Sequence, residues 1–365
     1  MIITYVYSNR LEDQIRVQLR CRNFADAINR TGSHHANLLD INSFIQNTQT
    51  AQKMCAESDI LVIYRYIYGP ILTTIQYWKA RKKKVIVDFD QAIDHLTPGM
   101  PGYYFWLKGT PLPACTSENK HPENPIVPIP LEQFKWGLGI VDAATTASAR
   151  LANDWSQFTC VYEIPDYLNT FQYPVLEQPH KDEIWIGLGH NTQYTSFKNS
   201  GLSVAMEYIC QQYPQVKLVL FDQGDFPDRQ LKIDPAQVVV YSPPIFDEWV
   251  NVLLKLDIGL APIYGDYDLR SGPVKLLEFM IAKIPWIATE HPTFRNMAQY
   301  GYWVQNSPDA WENAILNVVT QLAVYQKRAD GESFSFALGQ DVSENIEKVL
   351  RIYSVIINKA PGQRI

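Results

Sequence analysis

No window of this chain approaches ~18 uninterrupted apolar residues, so no segment reads as a membrane-spanning helix. The start, MIITYVYSNRLEDQ, lacks the basic region followed by an apolar stretch that marks a signal peptide. Cysteine is sparse and dispersed: Cys21, Cys55, Cys115, Cys160 and Cys210 form no C-x-x-C pair and no metal-ligand spacing. Such a set reads as reduced thiols of a cytoplasmic protein. Positive charge is not in excess either. A formal net charge of −6 and a pI near 5.7 argue against a nucleic-acid partner, which normally meets a basic face. The one dense basic run, Arg81-Lys82-Lys83-Lys84, fits a solvated loop or a patch facing anionic lipid, that is, a peripheral contact with a membrane surface.

What is present is a folded-protein composition, 46% hydrophobic and 19% charged over 365 residues, long enough for two cores. Short apolar runs alternate with amphipathic stretches, the pattern of β-α-β units around a parallel sheet. Strands are expected at Ile2–Tyr7, Ala36–Asp40, Asp59–Tyr64 and Lys84–Asp90, with helices at Glu12–Arg30 and Pro70–Arg81. Gly137–Ala143 and Cys160–Ile164 supply later elements. Thr97–Pro130 is proline-rich and shows no clear period, which suggests a lid or binding loop. The polar stretch Asn169–Asp182 reads as a linker, after which the pattern restarts. Strands are expected at Glu183–Leu188, Val216–Phe221, Gln237–Tyr241, Ile258–Ala261 and Trp286–Ala288, and helices at Gly201–Tyr213, Ile245–Leu256 and Pro273–Ala282. The expected organisation is an α/β chain of two doubly wound, Rossmann-like parallel-sheet domains, 1–170 and 171–341. A terminal helix within 342–365 would pack back on the first domain. Ligands of such sheets sit at the carboxyl ends of the strands.

The sharpest local signal is GDYDLRSGPVKLLEFM, Gly265–Met280. Pro273 suits the first position of a helix, making Gly272 its cap, and the free N–H groups of that turn form an anion site. Lys275 falls in the same turn, where a cation opposes the helix dipole unless an anion is near. Arg270 and Ser271 lie in the approaching loop, and the planar fork of Arg270 suits a diphosphate. Glu278 follows Lys275 by three residues on about the same face and could take two ribose hydroxyls. The same residues also fit a surface helix with an ordinary Lys–Glu pair. A second turn, Gly187-Leu188-Gly189-His190-Asn191, follows a strand and would let backbone N–H groups approach phosphate, although it lacks the third glycine of a dinucleotide fingerprint.

These stretches, together with YPQVKLVLF and LDIGLAPIYGDYDLRSGPVKLLEFMIAKIPWIATEHPTF, resemble the donor domain of GT-B glycosyltransferases. The similarity is to the retaining "glycosyl transferases group 1" family and its cyanobacterial-type branch. KVIVDFDQAIDHL and VDAATTASARLANDW extend the likeness to the first half. The resemblance implies that Glu278 holds the nucleotide ribose and that Lys275 neutralises the leaving diphosphate. Arg270 stands where the family's first glutamate usually does. The Gly187–Asn191 turn matches the loop touching phosphate and acceptor, and Asp90 stands where relatives place a residue pointing at the reacting carbon. Phe246, next to Ser242-Pro243-Pro244, falls where the nucleobase is held.

Asp88 and Asp90, two apart on a strand, share a face and invite a D-x-D metal reading. The resemblance implies a reaction without bound metal and without a cofactor, the nucleotide sugar being a substrate whose base (UDP, GDP or ADP) stays open. Asp88, His95, Tyr103 and Trp106 are candidates for the acceptor, a sugar or a lipid-linked sugar. The Tyr103–Trp106 aromatics equally fit core packing or a lipid interface. The implied function is transfer of a hexose-type sugar. The alternatives are a non-catalytic nucleotide-sugar binder, a phosphorylase, or an epimerase of the same architecture.

Overall fold

The computed structural model describes residues 1–112, 124–174, 182–189, 192–221, 231–241 and 245–358. The chain divides into two compact units. The first holds Met1–Tyr167, Arg270–Gly272 and the tail from Val342; the second holds Leu168–Leu269 and Pro273–Asp341.

The first unit is built on a six-stranded sheet of β1 (Ile2–Tyr7), β2 (His35–Asp40), β3 (Ile60–Tyr64), β4 (Lys84–Phe89), β5 (Ala143–Thr146) and β6 (Val161–Glu163). The strands run in the order β2-β1-β3-β4-β5-β6, all parallel. Every residue of β3 is buried, which is why ILVIY is apolar on both faces rather than alternating. One face of the sheet packs with the tail helix Val342–Asn358, whose Ile346, Val349, Leu350 and Tyr353 share a core with Ile3, Tyr5 and Val62. The hydroxyls of Tyr5 and Tyr353 meet at 3.1 Å inside it.

The helix expected over Glu12–Arg30 is not continuous. It runs as a short 3-10 turn (Leu11–Asp13), an α-turn, a wider π-turn (Gln18–Arg22) and then a regular helix, Asn23–Arg30. The π-turn carries Arg20 wholly inside the protein, a departure from α-geometry of the kind often found where a side chain has a specific task. Gly137–Ala143 also differs from its expected single element. Gly137 lies inside the helix Pro130–Ile140, and Ala143 opens β5. Gly137 is needed there because a Cβ would stand 2.5 Å from Ile67.

The basic run turns from a helix end into β4, and three of its four cations have contacts within the chain. The Arg81 guanidinium sits 3.5 Å from the Tyr77 ring centre, Lys83 donates to the carbonyls of Ala56 and Ser58, and Lys84 lies 3.7 Å from Asp142. Among the described residues no helix is long and apolar enough to cross a membrane.

The second unit has its own six parallel strands: β7 (Ile184–Leu188), β8 (Val216–Phe221), β9 (Val238–Tyr241), β10 (Ile258–Ala261), β11 (Trp286–Thr289) and β12 (Tyr302–Val304). Their order is β12-β11-β10-β7-β8-β9, so the winding reverses between β7 and β10. Ligands of open parallel sheets sit outside the carboxyl ends of the strands at such a reversal. Ile186, Leu188, Leu218, Leu260 and Ile287 form the core beneath, closed by the helices Leu202–Gln212 and Pro308–Thr320.

Candidate functional site

In the second unit, two loops meet at the reversal point. Gly189 ends β7, and an added Cβ there would stand 3.1 Å from Cγ and Cδ of Lys275. The aliphatic stem of Lys275 therefore lies across the bare backbone of Gly189. Gly187 has a different job. It sits within the sheet beside Gly259 and Val219, and a Cβ on it would run into Leu256 at 2.5 Å. Its lack of a side chain serves packing. His190 and Asn191 lie outside the described residues, as do Ser242, Pro243 and Pro244.

Lys275 belongs to the helix Val274–Ile281. Pro273 takes the capping position rather than the first helical one, and its carbonyl accepts from the N–H groups of Leu276 (2.9 Å) and Leu277 (3.2 Å). The expected cap, Gly272, is thus displaced by one residue. Proline serves there because a cap needs only its carbonyl. The leading N–H groups of this turn have no intrahelical acceptor, and Lys275 sits among them.

One turn deeper, Glu278 is fully buried. Its Oε1 accepts from the indole Nε1 of Trp249 at 2.9 Å and from the hydroxyl of Tyr173 at 3.2 Å. That oxygen, expected to meet ribose, is already held by the chain. Burial first, and then the Glu278 carboxylate with its hydrogen bond, push the Tyr173 phenol well above its ordinary pKa. Phe246, buried, meets the Tyr173 ring edge-on at 5.9 Å, and Trp249 meets Phe221 at 4.8 Å. Neither Tyr173 nor Trp249 stood out in the sequence. Tyr173 fell within the stretch taken as linker. Trp249 is three residues after Phe246 on the helix Phe246–Leu253, so the helical period offered a usable signal.

The loop after β10 is fixed at several points. Asp268 Oδ2 accepts from the Ser196 hydroxyl and from the Tyr264 N–H (3.1 Å). Ile263 donates to Thr289 Oγ1 (2.9 Å), Thr289 to Asn306 Oδ1 (2.8 Å), and Asn306 back to the Ile263 carbonyl (2.9 Å). This ring of bonds ties the ends of β10, β11 and β12 together, and holds rigid the loop that leads to Lys275.

Arg270, Ser271 and Gly272 group with the first unit, whereas Lys275 and Glu278 belong to the second. Arg270 Nε donates to Asp154 Oδ2 at 2.5 Å, and its carbonyl accepts from Ser148 Oγ at 2.6 Å. Ser148 is itself the cap of the helix Ala149–Trp155. The guanidinium thus has a carboxylate partner within the chain.

In the first unit, the expected acceptor and catalytic aspartates lie in a buried ion network beyond β1, β3, β4 and β6. Arg20 holds Asp88 with two parallel bonds, Nη2 to Oδ1 at 2.6 Å and Nε to Oδ2 at 2.9 Å, and reaches Asp166 at 3.2 Å. Thr145 adds a third donor to Asp88 Oδ1, at 2.6 Å. Asp90 Oδ1 accepts from Tyr64 (2.8 Å) and Arg65 (3.1 Å), and its Oδ2 faces Arg16 at 3.2 Å. Arg65 also donates to Asp13 at 2.7 Å. Both carboxylates of the D-x-D pair therefore answer arginines.

Burial would raise the Asp90 pKa, but Arg16, Arg65 and Arg20, with the Tyr64 hydroxyl, hold it well below the ordinary carboxylate range. For Asp13 and Asp166 burial wins, and both are raised despite their arginines. Arg65 has a left-handed backbone, φ 63°, a conformation that costs a non-glycine residue on the order of 1 kcal/mol or more. Its two ion pairs fix it there.

Of the other acceptor candidates, Trp106 is buried and stacked on Tyr66 at 5.8 Å, so it packs in the interior. Tyr103 is half-buried on the helix Tyr103–Lys108, with Lys108 over its ring at 5.7 Å. His95 is half-exposed and 3.7 Å from Asp94. The structure gathers Gly189, Lys275, Glu278 and Phe246 in the second unit, and Asp88, Asp90 and Trp106 in the interior of the first.

No protein-family model matches the chain, and no curated protein matches it. Solved structures do. Their likeness gives this chain the GT-B fold, with two Rossmann-like domains. Among them is a sucrose-phosphate synthase from Thermosynechococcus elongatus, 11% identical, with a TM-score of 0.60 over 97% of this chain and 98% of that one. HepE of Anabaena, in complex with UDP-glucose, matches at 0.59 with 11% identity, over 97% of this chain and 99% of its own. A UDP-N-acetylglucosamine 2-epimerase matches at 0.51 with 10% identity, over 100% and 99%.

Proposed function

We propose that this protein transfers a hexose-type sugar from a nucleotide-diphosphate donor to a sugar or lipid-linked acceptor, with retention of configuration and without a metal. The observation that carries the reading is the packing of Lys275 across Gly189 at the start of the helix Val274–Ile281, where the order of the second sheet reverses. A diphosphate at that point would meet a lysine ammonium and the open N–H groups of a helix start, and a bare glycine backbone lets it come close. As the glycosidic bond breaks, charge grows on the leaving diphosphate. A cation fixed beforehand stabilises that charge more in the transition state than in the ground state.

In this reading Glu278 is the residue assigned to the ribose, and its buried carboxylate, held by Trp249 and Tyr173, would have to be uncovered to reach it. Phe246 and its aromatic neighbours border the nucleobase. We assign Asp90 to support of the β4 end, because its Oδ1 accepts from Tyr64 and Arg65 and its Oδ2 faces Arg16 inside the network.

Support for the donor class comes from the HepE likeness, since that protein was captured with UDP-glucose. The epimerase likeness favours a second reading, conversion of a nucleotide sugar with no acceptor. Melting-temperature shifts against UDP, GDP and ADP, then against their glucose conjugates, test the donor site, because a ligand stabilises only what it binds. Product analysis with and without acceptor separates the two readings. No shift with any nucleotide would end both.

A further inference from the structure

A cavity of about 500 Å³ lies in the first unit beyond the carboxyl ends of β1, β2 and β3. Its volume is in the range of small-molecule sites. The walls are mainly aliphatic: Ile41, Ile45, Ile71, Leu112 and Ile126. The Tyr66 and Tyr68 rings, edge-on at 6.4 Å, complete them.

Part of the polar lining is already engaged within the chain. Asn9 donates to Asp40 at 2.8 Å, Arg10 Nε to Glu12 at 2.5 Å, and the Tyr66 hydroxyl to Asp13 at 3.1 Å. An apolar body set against the aliphatic part of these walls would gain by leaving water. Asn42 and Asn124 are exposed lining residues, and so place amide groups at the mouth. The chemistry is that of an amphipathic ligand, apolar end inward and hydroxylated end outward.

Resting on the glycosyl-transfer reading, we propose that this cavity seats the apolar portion of the acceptor, an alkyl- or aryl-bearing glycoside or lipid-linked sugar. The test uses octyl glucoside, below its micelle concentration, against methyl glucoside. Calorimetry on the whole chain without nucleotide should show octyl glucoside binding at least about tenfold more tightly, since the longer chain buries more apolar surface. Ile45→Trp, which fills the cavity, should weaken octyl glucoside by about tenfold or more, while the melting temperature and the response to UDP-glucose stay as in the parent. Ile126→Trp, on another segment, repeats the test should the first variant unfold.

In turnover with UDP-glucose, or whichever donor binds, octyl glucoside should outpace methyl glucoside. Equal binding of the two glucosides, or octyl glucoside binding that ignores both tryptophans, would overturn the cavity assignment. Tight binding without use as acceptor would overturn the acceptor role. Octyl glucoside binding in a chain that binds no nucleotide would leave the apolar site standing and sink the donor reading, so the two failures are distinct.

Discussion

The two units share a six-stranded parallel sheet but finish its carboxyl edge in opposite ways. In the first, the edge beyond β3, β4 and β6 is occupied by the chain's own charges, with Arg16, Arg20 and Arg65 set against Asp13, Asp88, Asp90 and Asp166. In the second, the edge carries a bare glycine, a lysine, hydroxyls and aromatics, with a buried glutamate that accepts from Trp249 and Tyr173. A strand end filled with the chain's own ion pairs reads as scaffold, because each aspartate there has an arginine beside it. One that sets a lysine stem across a bare glycine at a helix start is suited to an anion from outside. On this difference we propose that the strand-end aspartates of the first unit, attractive as catalytic candidates, serve as scaffold.

The largest effect that could break this comparison is expected at Arg20. Arg20→Ala leaves Asp88 and Asp166 buried without their partner, and urea unfolding should show the first unit losing about 3–5 kcal/mol. A loss near zero would mean the network is not scaffold.

Next comes Lys275→Ala, expected to lower kcat by ~10²-fold or more while leaving thermal stability near the parent's. Unchanged turnover with the true donor would remove Lys275 from the phosphate site.

Third is the pH dependence of Asp90→Asn. The native pKa of Asp90 is depressed, so its ionised form contributes stability above its ordinary value of 3.8 and loses it as pH falls below that value. The deficit of the variant against the parent should be constant near neutrality and shrink below about pH 3.8. Asp13, whose raised value acts with the opposite sign, is present in both chains and cancels in that difference. Asp166, which the Asp90 charge helps to raise, changes its contribution only above pH 3.8, so the test is read below that value. A deficit that grows on acidification would reverse the assignment.

The smallest effect is expected at Gly189→Ala. Its Cβ would crowd a flexible lysine stem at 3.1 Å rather than backbone, so stability should change by about 1 kcal/mol or less while turnover falls several-fold through displaced Lys275.

The strands were legible because each is a short apolar run. IITYVY, VKLVLF and IGLA stand where the runs predicted them, and KVIVDF ends one residue sooner. Lys275 and Glu278 were legible as a pair, since helical spacing puts residues three apart on one face. The ion network was not. Arg20 and Asp166 are separated by 146 positions, and no local pattern announces a partner so far along the chain. For the same reason the π-turn stayed hidden, since its geometry answers to Asp88 across the sheet rather than to its own residues. The Pro130–Ile140 helix was masked by Gly137 and Gly139, poor helix formers that tertiary packing tolerates.

The return of the helix Val342–Asn358 to the sheet that begins at Ile2 has a consequence for biogenesis. During synthesis the ribosome completes the inserted second unit before it emits the segment that closes the first. The portion translated earliest must therefore wait, with the side of β1 around Tyr5 unsealed, until Tyr353 arrives. Chaperone demand should fall on that waiting sheet rather than on the unit made after it.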